Sequence, residues 1–408
     1  MKAKRGFPAF TVTKKAEKSL KDGHPWVYDT EITACEDCGN GALVDIFSQK
    51  GSYLGTGFFS ANSKIRIRRL SDNANEKFTD EFFARRVKYA IDYRRTVMRE
   101  DFSSCRLIFG EADGLPGLTV DKYEDLLSVQ VLSYGMEQKK DIIYRALCNE
   151  LERCGVKVAG IMERNDVAIR KLEGLEEYKA WYRADFLPEP PQSPVTQITE
   201  NGITYEVDVE NGQKTGFFLD QKYNRLAVMK LANGMKVLDC FTHTGSFGLN
   251  AAKGGAEHVT SVDVSQCAID MAKANAKRNG LSDKIDYLCT DVFELLPELI
   301  EQHFTYDLVI LDPPAFTKSR RTVGSAHKGY KEINYRAMKL LRRGGYLATC
   351  SCSHFMEVKM FEKMLAEAAA DAGVGLRIIE ERAQAPDHPV LMGVPETSYL
   401  KFYLLQIV

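Results

Sequence analysis

From about Met235 onward, short apolar runs alternate with amphipathic stretches. Apolar, β-branched runs of four to seven residues predict buried strands over 236–240, 258–264, 285–289, 307–311 and 346–350. Apolar positions at helical spacing predict helices over 246–253, 292–303, 332–341 and 356–372, plus one capped by Ser265 that stops at Asn279-Gly280. Two last strands are expected over 376–380 and 399–407. Strands that are apolar throughout and alternate with helices predict an α/β fold, a mostly parallel sheet covered on both faces.

The first half reads differently. Residues 42–47, 53–59 and 65–70 are short alternating or apolar stretches broken by Gly, Asn and Ser, as in a small β-rich unit. A short helix over 15–21 precedes Gly23-His24-Pro25-Trp26, a turn that delivers an aromatic. A longer helix is expected over 79–99. Further on, 118–120, 126–132 and 158–162 read as strands and 138–154 as a helix. The run Pro188-Glu189-Pro190-Pro191-Gln192-Ser193-Pro194 is the clearest linker. Three domains are therefore expected: 1–74, 75–190 and 191–408. That suits 408 residues at roughly 100–200 per domain.

Charge adds one feature. The chain carries −1 net, but residues 1–100 hold 19 Lys and Arg against 13 Asp and Glu, a net +6. A basic first quarter on a neutral chain suits a polyanion-binding module; a solvated basic face is the other reading. No apolar run approaches the ~20 residues a membrane span needs, and Met1-Lys2-Ala3-Lys4-Arg5 leads into no apolar signal core, so no membrane and a cytoplasmic location are expected. Ten scattered cysteines then read as reduced thiols. Cys35 and Cys38 lack a second pair at zinc spacing, so no metal is expected.

In such a sheet, ligands bind beyond the carboxyl ends of the strands. The first expected strand runs into Asp239, Phe241, Thr242, His243 and Gly245, a turn before a helix whose N–H groups can approach a ligand. It has no G-x-G-x-x-G fingerprint, which weakens a dinucleotide reading. Asp263 ends the second strand, placed to take two ribose hydroxyls or to sit in a surface loop. After the third, Asp291 and Val292 can meet an adenine edge through a carboxylate and a backbone N–H; a helix N-cap at Asp291 is the alternative. The fourth ends in Asp312-Pro313-Pro314-Ala315-Phe316, an acid, a rigid exit and an aromatic on which a flat ring can stack. The fifth delivers Cys350-Ser351-Cys352-Ser353-His354, where a thiol is a nucleophile or an inert buried residue. Beside it, Lys318, Arg320, Lys328 and Tyr330 read as a basic loop for phosphate contact and stacking, or as a solvated loop.

Taken together, these strand ends resemble the class I S-adenosylmethionine-dependent methyltransferases, with their Rossmann-like fold. More narrowly, the whole chain resembles the bacterial ribosomal RNA large subunit methyltransferase I family, which makes 5-methylcytosine in 23S rRNA. The matching pieces are Lys214-Thr215-Gly216-Phe217-Phe218-Leu219-Asp220-Gln221 with Asn224-Arg225, the turn from Asp239 to Phe247, Asp312-Pro313-Pro314-Ala315-Phe316, and Ser351-Cys352-Ser353. The first domain, with Gly23-His24-Pro25-Trp26-Val27, looks like a PUA-type RNA-binding domain, and the middle one like the family's linking α/β domain. The resemblance implies S-adenosylmethionine as cofactor, held by Asp239, Phe241, Thr242, Gly245, Asp263, Asp291, Val292 and Asp312. It implies Cys352 as the nucleophile that adds to cytosine C6, and Asp312 as the group that binds and protonates the cytosine edge or acts as base. Phe316, Lys318, Arg320, Lys328 and Tyr330 are the expected substrate contacts. Many related RNA cytosine methyltransferases carry a second Cys where this chain has Ala315, so Cys350 is kept as a second candidate. The expected partner is ribosomal RNA, with a homodimer as the candidate assembly. The rival readings are methylation of another base such as a guanine nitrogen, a nicotinamide dehydrogenase, and a non-catalytic RNA-binding factor.

Overall fold

The structure, a computed structural model, describes residues 5–317 and 319–408; Lys318 lies outside them. The chain forms two compact units, one comprising residues 1–198, 206–219 and 386–397, the other 199–205, 220–385 and 398–408.

The first unit holds two sheets. In the six-stranded sheet, Trp26–Tyr28, Ile65–Ser71, Tyr53–Phe59, Leu43–Ser48, Ala9–Val12 and Ile32–Cys35 lie side by side in that order. Phe10, Val12, Leu20, Val27, Val44, Ile46 and Ile67 form its core. Three of these strands, Ala9–Val12, Trp26–Tyr28 and Ile32–Cys35, have only three or four residues, too short for an alternating pattern to show. The five-stranded sheet runs Tyr178–Trp181, Gly160–Asn165, Leu126–Val131, Leu118–Tyr123, Ser104–Phe109. His388, in a turn-rich stretch of sequence, belongs to this unit: its Nδ1 pairs with Asp387 at 2.9 Å, and Asp387 also accepts from the Arg106 amide at 2.8 Å. That pair is a structural anchor.

The second unit is a seven-stranded sheet with helices. In chain order it contains α1 (Lys222–Leu231), β1 (Lys236–Cys240), α2 (Ser246–Lys253), β2 (His258–Asp263), α3 (Gln266–Arg278), β3 (Ile285–Cys289), α4 (Val292–Glu301), β4 (Tyr306–Leu311), α5 (Val323–Leu340), β5 (Leu341–Ser351), α6 (Val358–Ala372), β6 (Leu376–Arg382) and β7 (Lys401–Ile407). The sheet order is β3-β2-β1-β4-β5-β7-β6. The first five strands in that order are parallel; β7 runs antiparallel to β5, and β6 antiparallel to β7. Strand order therefore reverses between β1 and β4, which opens a crevice at their carboxyl ends. Leu238, Cys240, Val262, Val309, Leu311 and Leu347 are fully buried, as strands covered on both faces require.

One expectation is corrected. The basic stretch expected as a loop before a helix at 332 is helical from Val323. Ala326, Tyr330, Ile333, Asn334 and Ala337 recur at helical spacing and are buried, so packing overrides the polar, glycine-containing composition of this turn. Lys328 lies on the exposed side of this helix, and Arg320 is exposed in the short 3-10 turn before it.

A buried ion pair ties α1 into the unit. Arg225 donates to both oxygens of Glu200, at 2.6 and 2.8 Å, and both side chains are almost wholly buried. Removing one partner leaves an uncompensated buried charge, which costs about 3–5 kcal/mol. Glu200→Gln is therefore expected to lower Tm by roughly 10 °C, followed by differential scanning calorimetry.

Candidate active site

The turn after β1 is unusual in its backbone. Phe241, His243 and Gly245 all have left-handed φ, 63°, 50° and 82°. For Phe and His this is a strained choice, of the kind found where a site over-determines the chain. Asp239 anchors the turn from the end of β1. Its Oδ2 accepts from the Gly248 amide at 2.8 Å and from Thr242 Oγ1 at 2.5 Å. A Cβ on Gly248 would lie 2.5 Å from Ser261 Oγ and 2.9 Å from Asp239 Oδ2, so only glycine lets α2 approach this closely.

Asp239 Oδ1 and Thr244 Oγ1 are both buried without a hydrogen-bond partner. Buried polar atoms are normally satisfied, so two orphans beside a strained turn point to a ligand with donors. Burial pushes the Asp239 carboxyl up to about 7, against the donors from Thr242 and Gly248. A cationic amino group is the natural partner for that oxygen.

Next along the edge, Asp263 is half-buried at the end of β2. Its Oδ2 accepts from the His243 amide at 2.9 Å and its Oδ1 from the Ser265 amide at 2.9 Å. Burial lowers the His243 imidazole below its ordinary value, which suits a neutral loop residue. Asp291 is exposed and caps α4 by accepting from the Phe293 amide at 2.8 Å. Val292 follows in the first turn with its side chain in the core. The N-cap and an adenine-facing backbone are thus compatible at one place.

Across the switch point stands Asp312. Its Oδ1 accepts from Gln221 Nε2 at 3.0 Å, and Gln221 is held by Asn224 Nδ2 at 2.6 Å. Burial and the nearby Asp220 raise the Asp312 carboxyl to about 6 despite Arg225. Thus Gln221, braced by Asn224 from the helix that follows it, holds the acid, while the charge of Arg225, from the same sequence motif, acts on it from nearby. Cys350, also beside Asp312, is fully buried, and burial together with that carboxylate pushes its thiol well above the ordinary range.

Cys352, just past the end of β5, is half-buried. Tyr330 is wholly buried on α5; its hydroxyl accepts from Ser351 Oγ at 3.1 Å and bonds Ser353 Oγ at 3.0 Å. Tyr330 is therefore a wall of the thiol site, not an aromatic on a mobile loop. Phe316 packs against it in a tilted ring pair, 4.6 Å between centroids, with Phe293 6.0 Å from Phe316. Lys401, at the start of β7, is buried, and its Nζ donates to the carbonyls of Ser353 at 2.7 Å and Tyr399 at 2.8 Å. Nothing in its apolar sequence surroundings announced it. Arg320 and Lys328 make none of these contacts. Among the described residues there is no cluster of His, Cys, Asp and Glu able to hold a metal, and no helix long and apolar enough to cross a membrane.

The geometry predicts a pH dependence. A cationic ligand group needs Asp239 ionised, and the carboxyl holds its proton below about 7. Affinity for S-adenosylhomocysteine, which carries the same amino group, is expected to fall about tenfold per pH unit below that point and level off above it. Isothermal titration should show this slope in the wild type and lose it in Asp239→Asn. The folded-state value lies above the unfolded one, so the ligand-free protein loses stability as pH rises through about 7.

Comparison with known proteins agrees with this geometry. Residues 117–404 match the family model of S-adenosylmethionine-dependent methyltransferases, and residues 10–72 match a PUA-like domain. Ribosomal RNA large subunit methyltransferase I of Aeromonas salmonicida is 43% identical, covering 96% of this chain and 97% of the relative. The protein of the same name from Vibrio cholerae is 41% identical, covering 98% and 99%. Among solved structures, a methyltransferase complexed with S-adenosylhomocysteine superposes with a TM-score of 0.83 at 24% identity over 98% of this chain and 99% of that one, which speaks for the fold. The strained turn, the row of acids along one sheet edge and these matches lead to one assignment: the chain belongs to the ribosomal RNA large subunit methyltransferase I family of S-adenosylmethionine-dependent enzymes.

Proposed function

We propose that this enzyme forms 5-methylcytosine in large-subunit ribosomal RNA, with Cys352 as nucleophile and Asp312 as acid. The observation that carries the reading is a half-buried thiol at a strand end, within electrostatic reach of the buried Lys401 ammonium and of Cys350, which itself neighbours Asp312. A methyltransferase acting on a guanine nitrogen needs no thiol there.

The cofactor would be held by Asp239, with Thr242 and the amides of the Phe241–Gly245 turn around it, by Asp263 at its ribose, and by Asp291 and Val292 at its adenine. Bound S-adenosylmethionine supplies an electrophilic methyl group on a sulfonium. The Cys352 thiolate adds to C6 of the cytosine, forming a sulfur–carbon bond. The ring electrons shift toward N3, which takes the proton of Asp312. The resulting enamine is nucleophilic at C5. Once C5 carries the methyl, a base removes the C5 proton, the sulfur–carbon bond breaks, and the N3 proton returns to Asp312. Phe316 walls the ring site. The target base must leave its stack to reach it.

Arg320 and Lys328 are exposed and contact flanking phosphates in this reading, as does the PUA-like first domain, residues 1–74. The enzyme works in the cytoplasm, where the thiol stays reduced. The test is methylation of large-subunit rRNA by the purified chain, followed by nucleoside mass spectrometry. The expected product is 5-methylcytidine. An N-methylated guanosine, or RNA binding without transfer, would overturn the proposal.

A further inference from the structure

The thiol assigned as nucleophile sits in a built environment. The backbone on both sides of Cys352 is pinned. Ser351 and Ser353 hold the Tyr330 hydroxyl between them, and the Ser353 amide reaches Ser351 Oγ at 3.4 Å. From the adjacent strand, Lys401 grips the Ser353 carbonyl. Strand pairing sets this up: in the antiparallel register of β5 and β7, Lys401 lies opposite Ser351.

The Lys401 ammonium is buried, and among the described residues no carboxylate pairs with it. A buried charge without a counter-ion is costly, so such a group persists where an anion is generated or bound. The ionisable groups at this sheet edge come from five elements. The exit of β4 brings Asp312 and the end of β5 brings Cys350; both disfavour a further negative charge. The phenol of Tyr330 on α5 is neutral at physiological pH, its ionisation opposed by burial and by Cys352. Arg225 on α1 is paired with Glu200 through two of its N–H groups. Lys401 on β7 supplies positive charge.

We propose that Lys401 is the positioning residue of the nucleophile: it fixes the Cys352–Ser353 backbone through the Ser353 carbonyl and supplies the positive charge that holds Cys352 as a thiolate. Burial pulls the ammonium down, to about 8, and the Cys352 charge works in the opposite sense, the coupling such a pair requires. This rests on Cys352 being the nucleophile, but the ionisation of its thiol can be measured without any methyl transfer.

The experiment is alkylation of the full-length chain by iodoacetamide across pH 5.5–10, with each cysteine followed by peptide mass spectrometry. In the wild type, Cys352 is expected to reach half-maximal alkylation rate at least about one pH unit below the exposed Cys35, Cys267 and Cys289 of the same molecule. Lys401→Met, matched in size and uncharged, should raise the Cys352 midpoint by about one unit or more. Lys401→Arg should restore most of the difference, and S-adenosylhomocysteine binding should persist in both. In transfer assays near pH 7, Lys401→Met should lower kcat about 10–100-fold with little change in KM, and recover as pH rises. A wild-type Cys352 midpoint equal to or above that of the exposed cysteines would overturn the proposal, even were every Lys401 variant to misfold. So would an unchanged midpoint in folded Lys401→Met. Full transfer by Cys352→Ala would instead refute the assignment of the nucleophile.

Discussion

Cys352→Ala is expected to lower methyl transfer to ribosomal RNA by at least about 10⁴-fold while S-adenosylhomocysteine binds as in the wild type. Without covalent addition at C6, C5 of cytosine has no lone-pair character, and the remaining groups of the site cannot create it. The same variant separates the two thiols. Cys350 is fully buried, and its neighbours keep it protonated. Cys350→Ala removes little volume, leaves Asp312 with its Gln221 bond, and should retain transfer within about tenfold. RNA carrying 5-fluorocytosine gives a direct readout: after methylation, no C5 proton exists to be removed, so the sulfur–carbon bond persists and a denaturation-resistant complex accumulates. Wild type and Cys350→Ala should form it, and Cys352→Ala should not. The opposite pattern would move the nucleophile to Cys350. Full transfer by Cys352→Ala would favour the guanine-nitrogen route.

The sheet of the second unit was legible because its central strands, β1 and β4, are buried on both faces. Their apolar runs, such as Asp307-Leu308-Val309-Ile310-Leu311, carry little that is ambiguous, and each ends on a chemically distinctive residue. What escaped notice depends on pairing across long sequence distances. Lys401 reads as a cation inside Tyr399-Leu400-Lys401-Phe402-Tyr403, and its place opposite Ser351 follows from antiparallel register alone. The segment Val323–Lys331 carries Gly324 and Gly329 and three exposed positions, so its helix follows from Ala326 and Tyr330 packing inward. The same packing turned Tyr330 from a presumed stacking residue into the clamp on Ser351 and Ser353. The role of Asn224 and Arg225 was likewise visible as a motif and not as geometry, since Glu200 lies 25 residues away.

Asp312→Asn is expected to slow the reaction about 10²–10⁴-fold, and the step affected identifies what the carboxyl does. Asparagine keeps the shape and can still accept from Gln221 Nε2, so the change removes the exchangeable proton with little else. Two roles are open to a carboxyl lifted to about 6 by burial and by Asp220: giving a proton to N3 as the thiolate adds, or taking the C5 proton afterwards. The fluorinated substrate tells them apart, because it has no C5 proton. A base is idle on that substrate, and its loss leaves the trapped complex forming at the wild-type rate. An acid is needed for addition itself, and its loss slows trapping as much as it slows turnover on normal RNA. The second outcome is expected. An acid with a value near the working pH transfers its proton most effectively, and burial with the nearby Asp220 sets Asp312 there. Trapping at an unchanged rate in Asp312→Asn would assign the carboxyl as the base and leave the N3 proton to another donor.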